Sequence, residues 1–312
     1  MITEEIKYWI KLLSLPNVGP KTFYSLNHIL QKEGKKISDL FQINKQELLV
    51  LAKMSNIRHC EDIVQNIFNM SANTEDNNTI SQELIDKNVE VILYTMNTYP
   101  KKLMGKLNDN APPLLYMYGN KNLLKVNSVA IIGKRNASEE AIKIAKTVAE
   151  KMASEGYNIV SGYAKGIDTA AHLGALASEG TTTIVLPFGI FEFKWKEEFK
   201  EIQNLKQDTL IISQFSPHSI WQVSSAMQRN ATVIGLSDAV FAIEFEKDGG
   251  TWDAIVKALK IGVPVFLSDT SENRKIFIER KEKPIFVNLQ ELDMQSLISV
   301  LREKNYVPTI SQ

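Results

Sequence analysis

The chain has 312 residues, enough for two domains at roughly 150 residues each. Its 36 Lys and Arg balance 36 Asp and Glu, for a formal charge of zero, which excludes a protein that coats nucleic acid through bulk charge and leaves room only for a locally clustered site. Cys60 is the one cysteine and the four histidines are scattered, so no disulfide within the chain and no metal site or other cofactor is expected.

The opening residues Met1-Ile2-Thr3-Glu4-Glu5 are acidic and lack the basic start and apolar core of a signal peptide. No apolar run approaches the roughly 20 residues of a membrane span, so a cytoplasmic protein without membrane contact is expected. Apolar residues then recur at helical spacing through Ile6, Trp9, Ile10 and Leu13. Leu15-Pro16-Asn17-Val18-Gly19-Pro20-Lys21 breaks that helix, with Gly19 for a tight turn and Pro20 at the start of the next helix. Phe23, Leu26, Ile29 and Leu30 mark this second helix, and further helices are predicted near 45–53 and 58–70. The turn fits a helix–hairpin–helix, whose N–H groups touch a nucleic-acid phosphate without reading sequence, and it fits a plain helical turn equally well. The polar stretch 71–80 reads as a linker.

A helix near 80–87, a strand at 89–94 and an extended connection over 110–119 lead into a different pattern. From residue 128, strands and helices alternate. Strands are predicted at 129–132, 157–160, 183–187, 210–213, 239–244, 263–267 and 284–287. The helices between them fall at 141–153, 169–178, 194–203, 225–234 and 252–261, with a last one near 292–303. This alternation implies a mostly parallel sheet covered on both faces. The fold expected is therefore α/β, a Rossmann-like doubly wound sheet, with a smaller all-α N-terminal domain. The boundaries drawn are 1–75 for the helical domain and 76–312 for the Rossmann-like domain and its entry segment.

Four turns at strand ends or helix starts carry the candidate chemistry. Gly133-Lys134-Arg135 follows the first parallel strand, where open α/β sheets bind ligands. It reads as a phosphate site beside a helix N-terminus, or as a tight turn with two solvated cations. Ser161-Gly162-Tyr163-Ala164-Lys165-Gly166-Ile167-Asp168 follows the second strand and would line the same crevice; Asp168 is as well placed to cap a helix as to act as an acid. His172, one turn further, reads as a packed or capping residue. Arg229-Asn230 offers a guanidinium fork for phosphate. Gly249-Gly250-Thr251 forms another anion-ready turn at a helix start, without the lysine of a Walker loop. The set converges on one sheet edge, a cradle for several phosphates. No recognised catalytic constellation appears, so an enzyme is not expected.

In the same order, the sequence resembles the DprA/Smf family of DNA-processing proteins. The resemblance is carried by Pro16-Asn17-Val18-Gly19, by Tyr99-Pro100, by Pro113-Leu114-Leu115-Tyr116, by Val129–Gly133 with Arg135, by Ser161–Asp168 with Ala171-His172, and by Arg229-Asn230 with Gly235-Leu236-Ser237. It departs from the family pattern at Arg229-Asn230-Ala231, where a second arginine is usual, and at Lys134, where a serine is usual. The resemblance implies a homodimer that binds single-stranded DNA and helps load a RecA-type recombinase during DNA uptake. Gly133, Arg135, Ser161, Gly162, Gly166, Arg229 and Asn230 are the matching positions. The alternative is a nucleotide-sensing or nucleotide-cleaving domain of the LOG type, with Asp168, Glu244 or Asp253 as candidate acids.

Overall fold

The computed structural model describes residues 2–71 and 76–305. The chain divides into two compact units: residues 1–118 with 188–192 and 213–220, and residues 119–187 with 193–212 and 221–312.

The first unit opens with helices α1 (Glu4–Leu13), α2 (Pro20–Lys32), α3 (Lys45–Met54), α4 (Cys60–Ser71) and α5 (Asp76–Asp86). Thr3 caps α1 by accepting the Ile6 N–H, and Asn44 caps α3 through the Glu47 N–H. Pro20 is the first residue of α2, as the sequence indicates. The left-handed residue of the α1–α2 turn, however, is Asn17 at φ 65°. Gly19 is extended and has open space around it, so the turn does not depend on its being glycine. In the stretch read as a linker, Asp76–Ile80 belong to α5 and Ser71 ends α4, while residues 72–75 lie outside the described residues.

Strand β1 (Glu90–Leu93), helix α6 (Lys101–Leu107) and strand β2 (Leu114–Gly119) follow, with β1 and β2 antiparallel. The expected extended connection at 110–119 is thus largely a strand. Tyr94, just after β1, sits among Trp9, Phe23 and Tyr24, and its hydroxyl accepts a 2.8 Å bond from Asn27 Nδ2. These contacts tie residues on both sides of position 75 into one core.

The second unit is built on β3 (Ser128–Gly133), α7 (Glu139–Ser154), β4 (Asn158–Ser161), α8 (Ile167–Ala177), β5 (Thr182–Val185), α9 (Leu205–Asp208), β6 (Thr209–Ser213), α10 (Val223–Leu236), β7 (Ala239–Ile243), α11 (Gly250–Lys260), β8 (Val265–Ser268), α12 (Ser271–Ile276), β9 (Ile285–Val287) and α13 (Met294–Asn305). Among the described residues seven strands run parallel in the order β6-β5-β4-β3-β7-β8-β9. Their centres are mostly apolar, as a sheet buried on both faces requires, with buried polar residues such as Asn158, Ser161, Thr182 and Thr183 among them. Val129, Ile131, Ile159, Ile184, Ile211, Val240 and Phe241 are all buried.

One face of this sheet is covered by α7 and α8. Ala145, Ala149 and Ala153 of α7 meet Ala171, Gly174 and Ala175 of α8. A Cβ on Gly174 would lie 2.5 Å from the Lys146 carbonyl oxygen, so only glycine allows this approach.

The helix expected over 194–203 does not form. Residues 193–199 run as a loop with one short turn at Glu197–Phe199, although Trp195, Phe199 and Ile202 have helical spacing. Tertiary contacts override the local preference. Phe193 and Phe199 pack on Tyr163, the Lys196 N–H donates to the Tyr163 hydroxyl, and Lys196 Nζ donates to the Ala164 carbonyl and Thr169 Oγ1.

Candidate nucleic-acid interface

The sheet order reverses at β3, so the loops after β3 and β7 open at the switch point where α/β sheets hold ligands. A cavity of about 670 Å³ lies there, lined by the ends of β3 and the starts of α10 and α11. Gly133, Lys134, Arg135, Arg229, Asn230, Gly249, Gly250 and Thr251 all line it, so the structure brings together eight of the twelve candidate residues.

The glycines serve the backbone first. A Cβ on Gly133 would collide with the Ile243 carbonyl and the Ile167 side chain. Gly166 has φ 75° and faces the carbonyl oxygens of Lys134 and Arg135, so both its conformation and its surroundings exclude a side chain. Gly162 lies directly under Arg229 and Asp168. Gly162 and Gly166 therefore shape the crevice without lining it. Ser161 is fully buried and donates to the Ile131 carbonyl at 2.6 Å. Its hydroxyl joins two strands and does not face the cavity, contrary to the expectation that it meets a ligand. Lys165 is exposed and stands outside the cavity lining.

Arg229 is the centre of the floor. It is 5% exposed. Its Nη1 lies 3.6 Å from Asp168 Oδ2, and its Nε has no hydrogen-bond partner among the described residues. Burial lowers its pKa, and the neighbouring Asp168 carboxylate opposes that shift. Asp168 does not cap α8, whose N-cap is Gly166. It accepts the Ala164 N–H at 3.2 Å and neutralises Arg229. His172 lies behind this pair, fully buried, with Nδ1 2.6 Å from Thr182 Oγ1 and Nε2 2.6 Å from the Gly162 carbonyl. Desolvation lowers its pKa to about 4. The Gly162 carbonyl can only accept, so Nε2 carries a proton, while the Thr182 hydroxyl beside Nδ1 donates to the Ile159 carbonyl at 2.7 Å. His172 is thus the packed residue that the sequence suggests.

The remaining charges divide unevenly. Lys134 Nζ is 2.7 Å from Glu246 and 3.5 Å from Glu244, so its charge is already offset. Glu244 also accepts from the Ser138 N–H and hydroxyl, each at 2.8 Å. Arg135 is exposed, and its guanidinium lies 5.3 Å from the Trp221 ring centroid. Asp248 and Asp253 line the α11 side. The N-cap positions of α8, α10 and α11, Gly166, Gln222 and Gly249, make no side-chain cap bond, whereas Ser138 caps α7 through the Ala141 N–H. Of these, α10 and α11 begin at the cavity, where first-turn N–H groups have no intrahelical partner. Arg229 and Asn230 lie inside α10, not at a turn or helix start, and Asn230 Nδ2 donates to the Gly250 carbonyl at 3.3 Å, joining mid-α10 to the start of α11.

Sequence reasoning missed Asn136, Val223, Met227 and Glu246 as lining residues. Glu246 opens the turn that the Gly249 N–H closes and Asn136 follows Arg135 in the β3 loop, whereas Val223 and Met227 reach the cavity only because α10 converges on these loops. Among the described residues, no group of three or more His, Cys, Asp or Glu is placed to hold a metal ion, and no helix is long and apolar enough to cross a membrane.

Comparison with known proteins follows the same architecture. The chain is 34% identical over 157 residues to the DNA processing protein DprA of Streptococcus pneumoniae, an alignment covering 50% of this chain and 55% of that protein. It is 28% identical over 181 residues to the protein Smf of Borreliella burgdorferi, covering 58% and 57%. The chain thus spans a little over half the length of these relatives. The X-ray structure of the S. pneumoniae protein superposes with a TM-score of 0.71 at 25% identity, covering 93% of this chain and 96% of that one. A structure of DNA processing protein A from Helicobacter pylori, described for its single-stranded DNA binding mode, gives a TM-score of 0.57 at 25% identity, covering 69% and 96%. Residues 90–278, well over half of the chain, match the family described as DNA recombination-mediator protein A, and the chain belongs to that family, the DprA/Smf DNA-processing proteins.

Proposed function

We propose that the crevice at the β3–β7 switch point holds backbone phosphates of single-stranded DNA, and that the protein passes the strand to a RecA-type recombinase as a homodimer. The observation that carries this reading is Arg229, a buried arginine at the floor of an open cavity where two helices, α10 and α11, begin without a side-chain cap. A buried guanidinium is costly unless negative charge lies against it, and a phosphate in the crevice would add to what Asp168 supplies. Arg135, exposed at the same cavity and making no ion pair among the described residues, supplies the rim charge. Contacts of this kind go to the backbone and tolerate any sequence. Lys165 adds long-range attraction from outside, and Lys134 contributes less because Glu246 holds it.

The test is a titration of a single-stranded oligonucleotide against salt. Arg135→Ala and Arg229→Ala should each weaken binding and lower the slope of log affinity against log salt by about 0.7 per lost phosphate. Affinities and slopes equal to the parent's for both variants would place the DNA elsewhere. A second reading has one observation in its favour, since a cavity of about 670 Å³ also has the volume for a mononucleotide. A nucleotide panel run in parallel, with turnover measured, separates the two.

A further inference from the structure

The start of α10 exposes an apolar patch that neither the core nor the phosphate reading uses. Trp221 is 45% exposed, Val223 63% and Met227 49%. Val223 and Met227 are four residues apart, on one helix face, and both line the cavity. Arg135 lines the same cavity and lies across the Trp221 ring, 5.3 Å from its centroid. One arginine therefore serves both an anion-ready crevice and an exposed indole.

We infer that Trp221, flanked by Val223 and Met227, is a stacking platform for an unpaired base of the strand whose phosphates occupy the crevice. This rests on the phosphate reading above and extends it to the bases. Exposed indole is expensive to leave in water. Its fixed position beside a phosphate-binding arginine suits a nucleotide, whose charged and flat aromatic parts are one sugar apart. Stacking on an aromatic face is tolerant of base identity and needs bases free of a duplex. Arg135 orients the indole through its cation–π contact and offers its own flat guanidinium to a phosphate or to a second base. Base-paired DNA offers no free face to the platform, so the preference for single strands is placed here and the affinity for phosphate in the crevice.

The experiment compares a thymidine oligonucleotide with an abasic strand of equal length, by fluorescence anisotropy, on the full chain and its Trp221→Ala and Trp221→Phe variants. The parent should bind the thymidine strand about 5- to 150-fold more tightly than the abasic one, the range for one stacked base. W221A should lose that preference while binding the abasic strand as the parent does, and W221F should keep most of it. Equal binding of both strands by the parent overturns the platform and leaves the phosphate reading standing. Binding of neither strand overturns the phosphate reading first. A W221A protein that keeps the full base preference but changes oligomeric state makes the patch a contact between copies of this chain and overturns the inference.

Discussion

Asp168 and Arg229 form a buried pair whose disruption has a calculable consequence. Both side chains are under 9% exposed, and the Nη1–Oδ2 distance is 3.6 Å. Asp168→Asn removes the charge but keeps an oxygen to accept the Ala164 N–H. It strands the Arg229 guanidinium in a site where burial already disfavours the cation. Breaking such a pair costs about 3–5 kcal/mol. The separation exceeds hydrogen-bond length, so the lower end applies, about 3 kcal/mol, equivalent to roughly 6–12 °C in Tm. Arg229→Met in the same background removes the stranded charge and the unpartnered Nε together. The double variant should therefore be more stable than D168N alone, with a coupling of at least about 1 kcal/mol. Urea unfolding of the parent, both single variants and the double variant, followed by tryptophan fluorescence, measures all four corners. A D168N protein within about 0.5 kcal/mol of the parent, or a double variant less stable than D168N, refutes the argument. Inorganic phosphate should also stabilise D168N more than the parent, since an added anion takes the place of the lost carboxylate.

His172 makes stability depend on pH. Its folded pKa lies near 4, against an ordinary value of 6.5, so between these values the unfolded chain binds more protons than the folded one. Stability is full above about pH 6.5 and falls by up to about 3 kcal/mol as pH drops towards 4; His172→Asn should flatten that slope in pH-dependent unfolding, and an unchanged slope assigns it to other groups. Gly174→Val should destabilise by at least about 1–3 kcal/mol through overpacking against the Lys146 carbonyl, read as a lowered urea midpoint. Light scattering at tens of micromolar should give a dimer, and a monomer removes the homodimer from the proposal. The proposed boundary at 75/76 is testable by limited proteolysis within 71–80; because Trp9 and Phe23 pack on Tyr94, the nicked fragments should stay associated on a sizing column.

The parallel sheet was legible because short apolar stretches, such as Val129–Ile132 or Leu210–Ile212, alternate with helical patterns along the chain. The turns were legible for a different reason, since glycine clusters mark where the backbone must bend or pass close to a neighbour. What a glycine is for was not legible. Gly133 and Gly166 clear space for carbonyl groups from other strands and loops, which local sequence does not encode. The burial of Arg229 was not legible because its helix face cannot be assigned without knowing how α10 lies on the sheet; one residue of register turns a side chain by about 100°. Ser161 was misplaced likewise, its partner Ile131 being thirty residues away. The helix expected at 194–203 shows the same limit, where Lys196 finds better partners in another loop than in its own turn.

That loop, Gly162–Gly166, is fastened from several sides. Asp168 holds the Ala164 N–H, Thr169 and Lys196 both donate to the Ala164 carbonyl, the Tyr163 hydroxyl donates to the Lys194 carbonyl, and Gly166 is wedged against the Arg135 carbonyl. A wall so tied has little conformational entropy left to lose when something settles against it. Association should then follow a single phase whose rate rises linearly with ligand concentration, without the plateau that a slow rearrangement imposes.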